Sequence, residues 1–147
     1  MKLQKATCFA LFAVIELARD PSRQLSVAEI ADKYGISAHH LAKVLRDLGR
    51  AGIVASARGV GGGYRFVGNP RRLTLMDVIA LFEPIKSDTL SEGEPLPVTD
   101  AGQALHLVLK EIDEHAVATF RSITISTMLK FVKDDAREGG SGRQTAR

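Results

Sequence analysis

The sequence predicts a mainly α-helical fold interrupted by one two-stranded β-hairpin. Three observations carry this expectation. Two short amphipathic helices follow one another across a glycine-containing turn, SVAEIADKYG and then ISAHHLAKVLRDLGRAG. Two short alternating segments, IVASAR and YRFVG, come next and enclose the glycine run GVGGG. A long helical stretch, AGQALHLVLKEIDEHAVATFRSI, fills much of the second half. Helix, helix and hairpin in that order make a winged helix-turn-helix, and the long helix after it is expected to serve dimerisation.

The first helix is expected from Thr7 to Arg19, where Cys8, Phe12, Ile15 and Ala18 fall at helical spacing. Phe9, Leu11 and Val14 widen that stripe, and Asp20-Pro21-Ser22 ends it. In the second helix Ser26 and Glu29 form a capping box, Val27, Ile30 and Ala31 make a short apolar face, and Gly35 is the stop. Ser37 is a natural N-cap for the third helix, whose inner stripe is Leu41, Val44, Leu45 and Leu48. Its opposite face carries His39, His40, Lys43, Arg46, Asp47 and Arg50. A generic solvated face would look the same in isolation.

The segment after the third helix separates the two readings. Ile53, Ala55 and Ala57 are expected in phase on one strand, with Tyr64 and Phe66 on the other. The glycines between them could cradle a phosphate or form a hairpin tip. A nucleotide loop needs Gly-Lys-Ser/Thr, or a dinucleotide fingerprint, with a helix following so that its amides converge on the anion. Here a second strand follows. The glycines therefore read as the tip of a wing, able to adopt positive φ and to approach a groove closely.

Beyond the wing, NPRRLTLMDVIALFEP turns at Pro70 and is expected to be helical through Leu75, Val78, Ile79 and Phe82 up to Pro84. Lys86 to Asp100 is acidic, proline-bearing and aperiodic, hence a loop. On the long helix Ala101, Ala104, Leu105, Val108, Ile112 and Ala116 share a face, while Leu107, Leu109, Val117 and Phe120 spill onto others. That stripe is too wide for one contact, so the helix is expected to touch both its own domain and a second copy. TISTMLKFVKD adds a short helix with Ile125, Met128, Leu129 and Val132 inward. The organisation expected is a DNA-binding unit over 1–84, a sensor-type loop over 85–100, a dimerisation helix and closing short helix over 101–135, and a flexible tail over 136–147.

Composition narrows the function. With 147 residues, 45% hydrophobic and 25% charged, the chain has an ordinary globular make-up and room for one core. One cysteine excludes an internal disulfide and any all-thiolate metal site within one chain, and it suits a reducing cytoplasm. Lys2 and Lys5 precede an apolar stretch as in a signal peptide, but Glu16, Arg19 and Asp20 follow without a small-residue cleavage site. No run is long enough for a membrane span. No convergent Ser/His/Asp set, metal cluster or phosphate loop points to an enzyme. Residues 1–72 hold 12 Lys/Arg against 5 Asp/Glu, whereas residues 73–135 hold 5 against 11. Only the front half is suited to a polyanion.

Double-stranded DNA is the partner this predicts. Ser37 and the amides beside it would hold phosphate, and His39, His40 and Lys43, with Arg46 further along, would face base edges. Lys2, Lys5, Arg58, Tyr64 and Arg65 would anchor the DNA backbone, with Gly61 and Gly62 letting the wing approach. The alternative is a winged-helix module that binds another protein and no DNA. Such a module needs no basic recognition face, and this sequence has one.

The stretch from Ser37 to Phe66, SxxHLxKVLRxLxRAGIVxSxRGxGGGYRF, resembles the IscR/NsrR type of bacterial winged-helix repressors, the Rrf2 family. The MKL start, LTLMDVIALFEPI and SITISTML support the resemblance, which covers roughly residues 1–133. It implies a homodimer clasped by the helix around Ala101–Phe120, bound to a palindromic promoter site. It also implies a sensor site under the 85–100 loop, usually an iron–sulfur cluster on three cysteines, sometimes with an acidic ligand from the partner's first helix. This chain departs from that pattern. Leu90 and the neighbourhoods of Gly93 and Thr99 stand where thiolates would be expected. By register from the MKL start, Cys8 falls where the acidic ligand would sit. The expectation is no cofactor and no metal. Cys8 reads either as a small core residue or as a redox-responsive thiol. The alternative is a cluster with Cys8 as its only thiolate from each chain, completed from His106, Asp88, Glu92 and Glu94.

Overall fold

The computed structural model describes residues 2–59, 61–84 and 95–138, the last five of these by backbone alone. In chain order the elements are α1 (Lys5–Ala18), α2 (Val27–Tyr34), α3 (Ala38–Arg50), β1 (Val54–Ala57), β2 (Gly63–Phe66), α4 (Leu75–Ile79), α5 (Asp100–Ser122) and α6 (Ile125–Glu138). The mainly α fold with a two-stranded wing is the one the sequence predicts.

Local signals place α2 and α3. Glu29 N donates to Ser26 Oγ at 3.1 Å and Ser26 N donates to Glu29 Oε2 at 2.7 Å, a complete capping box. Gly35 ends α2 at φ 62°, in the left-handed region. Leu41, Val44, Leu45 and Leu48 are buried against α1, as the period of α3 requires.

Of the stripe expected on α1, Val14, Ile15 and Ala18 are buried, but the centre of the buried face lies elsewhere. Ala10, Ala13, Val14 and Leu17 are its innermost residues, while Phe12 is exposed and Cys8 is half-buried. The reason is packing rather than periodicity. α1 is surrounded by α2, α3, α4 and α6, and the alanine face lets these helices approach closely. Phe12 finds a partner outside that core, stacking on Tyr34 with ring centroids 5.1 Å apart and an interplanar angle of 1°.

The first strand starts one residue later than expected. β1 and β2 are antiparallel, pairing Val54 with Phe66, Ala55 with Arg65, Ser56 with Tyr64 and Ala57 with Gly63. The face of Tyr64 and Phe66 is therefore shared with Val54 and Ser56, while Ala55 and Ala57 lie in phase on the other face. Ile53 is buried but outside the ladder: its N–H returns to Leu48 O at 3.1 Å, closing the end of α3. Its burial reports on that turn and says nothing about the strand.

α4 is shorter than expected. After Ile79 the chain tightens, with Leu81 N donating to Val78 O at 3.2 Å and Phe82 N to Ile79 O at 3.0 Å. Pro84 disfavours helical backbone at the residue before it, so the helix does not reach it. α6 is longer than expected and continues to Glu138, three residues into the segment read as tail. The rest of that segment lies outside the described residues.

The C-terminal helix does not stand apart from the first unit. Leu75 N donates to Ile123 O, Ile125 N to Leu73 O (both 2.9 Å) and Ser126 N to Pro70 O (2.7 Å). Ile125 is fully buried in the same core as α1 and α3, with Met128 and Leu129 packed against it.

Candidate nucleic-acid interface

Burial of one face of α3 dictates the other. With Leu41, Val44, Leu45 and Leu48 inward, His39, His40, Lys43, Arg46 and Arg50 are exposed along the outside. The His39 and His40 rings lie 6.3 Å apart, tilted by 43°. Ser37 Oγ accepts from His40 N at 3.5 Å, a long cap that leaves the amides of Ala38 and His39 facing outward from the helix start. Arg50 is partly engaged by Asp47 at 3.5 Å. Among the described residues Lys43 and Arg46 form no salt bridge.

The wing is held by a strand pairing the sequence reading missed. Leu25 N donates to Tyr64 O at 2.9 Å and Tyr64 N to Leu25 O at 2.8 Å, so the residue before the α2 cap adds a one-residue bridge to the sheet. A signal for it was present: Leu25 is the apolar residue just outside the Ser26 cap, where a hydrophobic staple to Ile30 is expected. Gly63 is demanded by this arrangement, because a Cβ there would collide with the Leu25 carbonyl. Gly61 has φ 78°, and a Cβ at Gly62 would lie 2.6 Å from Ala57 O. These glycines form the hairpin tip as expected.

Arg58 and Arg65 are exposed on the wing and, among the described residues, unpaired. Tyr64, expected as a backbone anchor, is half-buried with its side chain packed against the core. Lys2 and Lys5 are exposed beside the start of α1. Arg71 and Arg72, which the sequence reading left out, are also exposed. They occupy a turn shaped by Asn69, whose Oδ1 accepts from Arg71 N at 3.0 Å.

A sequence profile of the Rrf2 family, described as iron-dependent transcriptional regulators, matches residues 3–130. This chain belongs to the Rrf2 family. A protein of Rhodopseudomonas palustris named as the HTH-type transcriptional regulator BadM is 50% identical over 142 residues, covering 97% of this chain and 90% of the relative. Among solved structures, CymR, the global cysteine regulator of B. subtilis, superposes with a TM-score of 0.71 at 26% identity, covering 89% of this chain and 98% of its own. The IscR of T. potens gives a TM-score of 0.66 at 27% identity, covering 100% of this chain and 93% of its own. This Rrf2 member is accordingly a transcriptional regulator.

The family description names iron, and composition limits the ligands that one chain can offer. Cys8 is the sole cysteine of the chain. Among the described residues no group of three or more His, Cys, Asp or Glu side chains is placed to hold a metal ion. Asp88, Glu92 and Glu94, considered above as ligands, lie outside the described residues, and His106 is exposed on α5. Three thiolates from one chain are excluded by composition alone. No helix among the described residues is long and apolar enough to cross a membrane.

Proposed function

We propose that this Rrf2 regulator is a cytoplasmic, sequence-specific repressor that binds a palindromic promoter site as a homodimer. The observation that carries the reading is the outer surface of α3 and the wing. Lys43, Arg46, Arg58 and Arg65 are all exposed and, among the described residues, free of acidic partners. Some basic groups elsewhere are engaged, such as Lys33 with Glu16 at 2.7 Å and Arg23 with Glu29 at 3.9 Å. Unpaired cations are the ones able to replace counterions on DNA phosphates. In this reading the start of α3 enters the major groove. His39, His40 and Lys43 meet base edges there, while Ser37, Lys2, Lys5, Arg58 and Arg65 hold the backbone.

α5 supplies the dimer contact. Leu105, Val108 and Ile112 share one side and remain about half exposed in the single chain, whereas Val117 and Phe120 pack on the core. One helix thus serves its own domain at one end and offers an uncovered apolar surface toward the other.

DNA binding in this reading needs no iron and no other cofactor. Any thiol-based response resides at Cys8, half-buried in α1 and three residues from Lys5. Operator affinity with and without peroxide, in wild type and Cys8→Ser, tests that part. A response in wild type alone supports a redox role, and equal behaviour assigns Cys8 to packing. The regulator reading itself is tested by titrating promoter-region duplexes over a range of salt concentrations. Steeply salt-dependent, sequence-selective binding is expected, and salt-insensitive binding or none would refute it.

A further inference from the structure

We infer that Glu83 is a positioning residue that holds the N-terminal arm, with Lys2 and Lys5, in place for the DNA backbone. The proposal rests on the DNA-binding reading above and adds a residue that the motif-based reading does not contain.

The starting point is how the helices begin. Ser26, Ser37, Thr74 and Thr99 each accept a hydrogen bond from an amide of the turn they precede, and Thr124 does so for Thr127 N at 3.2 Å. α2 and α4 go further, with Glu29 and Asp77 returning the bond to the cap residue. α1 has neither half. Its cap position is Gln4, whose side chain makes no capping bond, and the third helical position is Thr7, which carries no carboxylate.

Glu83 supplies what α1 lacks. Gln4 N donates to Glu83 Oε1 at 3.2 Å across 79 residues of sequence. This is the bond that Glu29 and Asp77 make within their own helices, delivered here from the turn after α4. A carboxylate at that place also opposes the positive end of α1. The second oxygen, Glu83 Oε2, is buried without a hydrogen-bond partner among the described residues, as is the hydroxyl of fully buried Thr7. A solvated surface contact would leave neither atom shielded from water. The carboxylate is held where only one of its oxygens is satisfied, which fits a group fixed by its surroundings.

The consequence follows from what flanks Gln4. Lys2 and Lys5 are exposed on either side of the bonded amide, so the Gln4–Glu83 bond, together with Leu3 packed against the core, sets the direction of this arm. Without it the first turn of α1 frays, as uncapped termini do, and both ammonium groups lose a defined position.

The test is a double-mutant cycle on the full-length protein with a short mixed-sequence duplex, since backbone contacts do not depend on sequence. Lys2→Ala with Lys5→Ala should lower the slope of log affinity against log salt by about 1 to 2. Glu83→Ala should lower it comparably, and the combined variant should fall no further than either alone. Adding Gln4→Ser to Glu83→Ala restores a local cap and should recover the slope. Glu83→Met, which keeps the bulk but offers no oxygen acceptor, covers the case of a poorly folding alanine variant. In it the Gln4 amide and the Cys8 amide, which bonds Gln4 O at 3.0 Å, should exchange with solvent faster than in wild type. Additive losses in the cycle, or unchanged exchange in Glu83→Met, would overturn the inference while wild type still binds the duplex. Wild type that fails to bind refutes the DNA reading instead.

Discussion

Lys43 shows what a single residue can decide on this surface. It projects from α3 without an ion pair among the described residues, so a base edge does not have to compete with a carboxylate for it. Lys43→Ala should relax discrimination between operator and mismatched duplexes by about 1–3 kcal/mol, measured by competition binding. Arg58→Ala and Arg65→Ala should instead weaken binding to all duplexes and each lower the salt slope by about 1. Gly63→Ala tests a different cause. Its methyl group would meet the Leu25 carbonyl, so the Leu25–Tyr64 pairing must open, at a cost of about 1–3 kcal/mol in urea unfolding. The residues of α3 were legible in advance because helical period alone separates inside from outside. Leu25 and Glu83 were not, since each acts through a partner remote in sequence.

At the scale of elements, α1 and α2 are joined by a polar clamp on their outer side. Glu16 accepts from Lys33 Nζ and from Tyr34 Oη, both at 2.7 Å, with Arg19 at 3.7 Å and Phe12 stacked on the Tyr34 ring. Partial burial alone would raise the pKa of Glu16. The bonds from Lys33 and Tyr34, with the charges of Arg19 and Lys33, outweigh it and hold the pKa below the ordinary value of 4.5. Burial first, and then the bond to Glu16, push Tyr34 up to about 12. The signs follow. Glu16 contributes stability that is fully present above its ordinary value and is lost as pH falls through the lowered one. Tyr34 contributes stability present below its ordinary value and lost as pH rises through about 12. Glu16→Gln should therefore lower Tm at neutral pH, and its gap to wild type should narrow on acidification below about pH 4, followed by circular dichroism. The stripe of α3 foretold its packing, but that of α1 did so only for Val14, Ile15 and Ala18 and not for Cys8 and Phe12. An apolar residue on nearly every side leaves its orientation to whichever neighbours arrive.

For the whole molecule, the proposed assembly rests on the uncovered side of α5. Val108 and Ile112 are 53% and 50% exposed on one side of it, an apolar surface that calls for a cover. Val108→Asp or Ile112→Asp should give monomers or aggregates by light scattering and abolish operator binding. A well-folded monomer in the unmodified protein would refute the proposed dimer. Asp113 marks the opposite side of the same helix. It is only 2% exposed, on the face it shares with Val117 and Phe120, whereas Glu111 and Glu114 on other faces are exposed.

The order of helices, the inner and outer faces of α3, the caps at Ser26 and Ser37 and the glycine wing tip were all determined by sequence alone. Each depends on residues within a few positions of one another, where backbone geometry leaves little choice. The tertiary structure decided which side of α1 is buried, where β1 begins, the pairing of Leu25 with Tyr64 and the return of Ile125 to the first core. It also decided that the missing cap of α1 comes from Glu83. These outcomes depend on contacts between distant segments, and a contact of that kind leaves no period or local motif in the chain because its two halves are paired only once the core has closed.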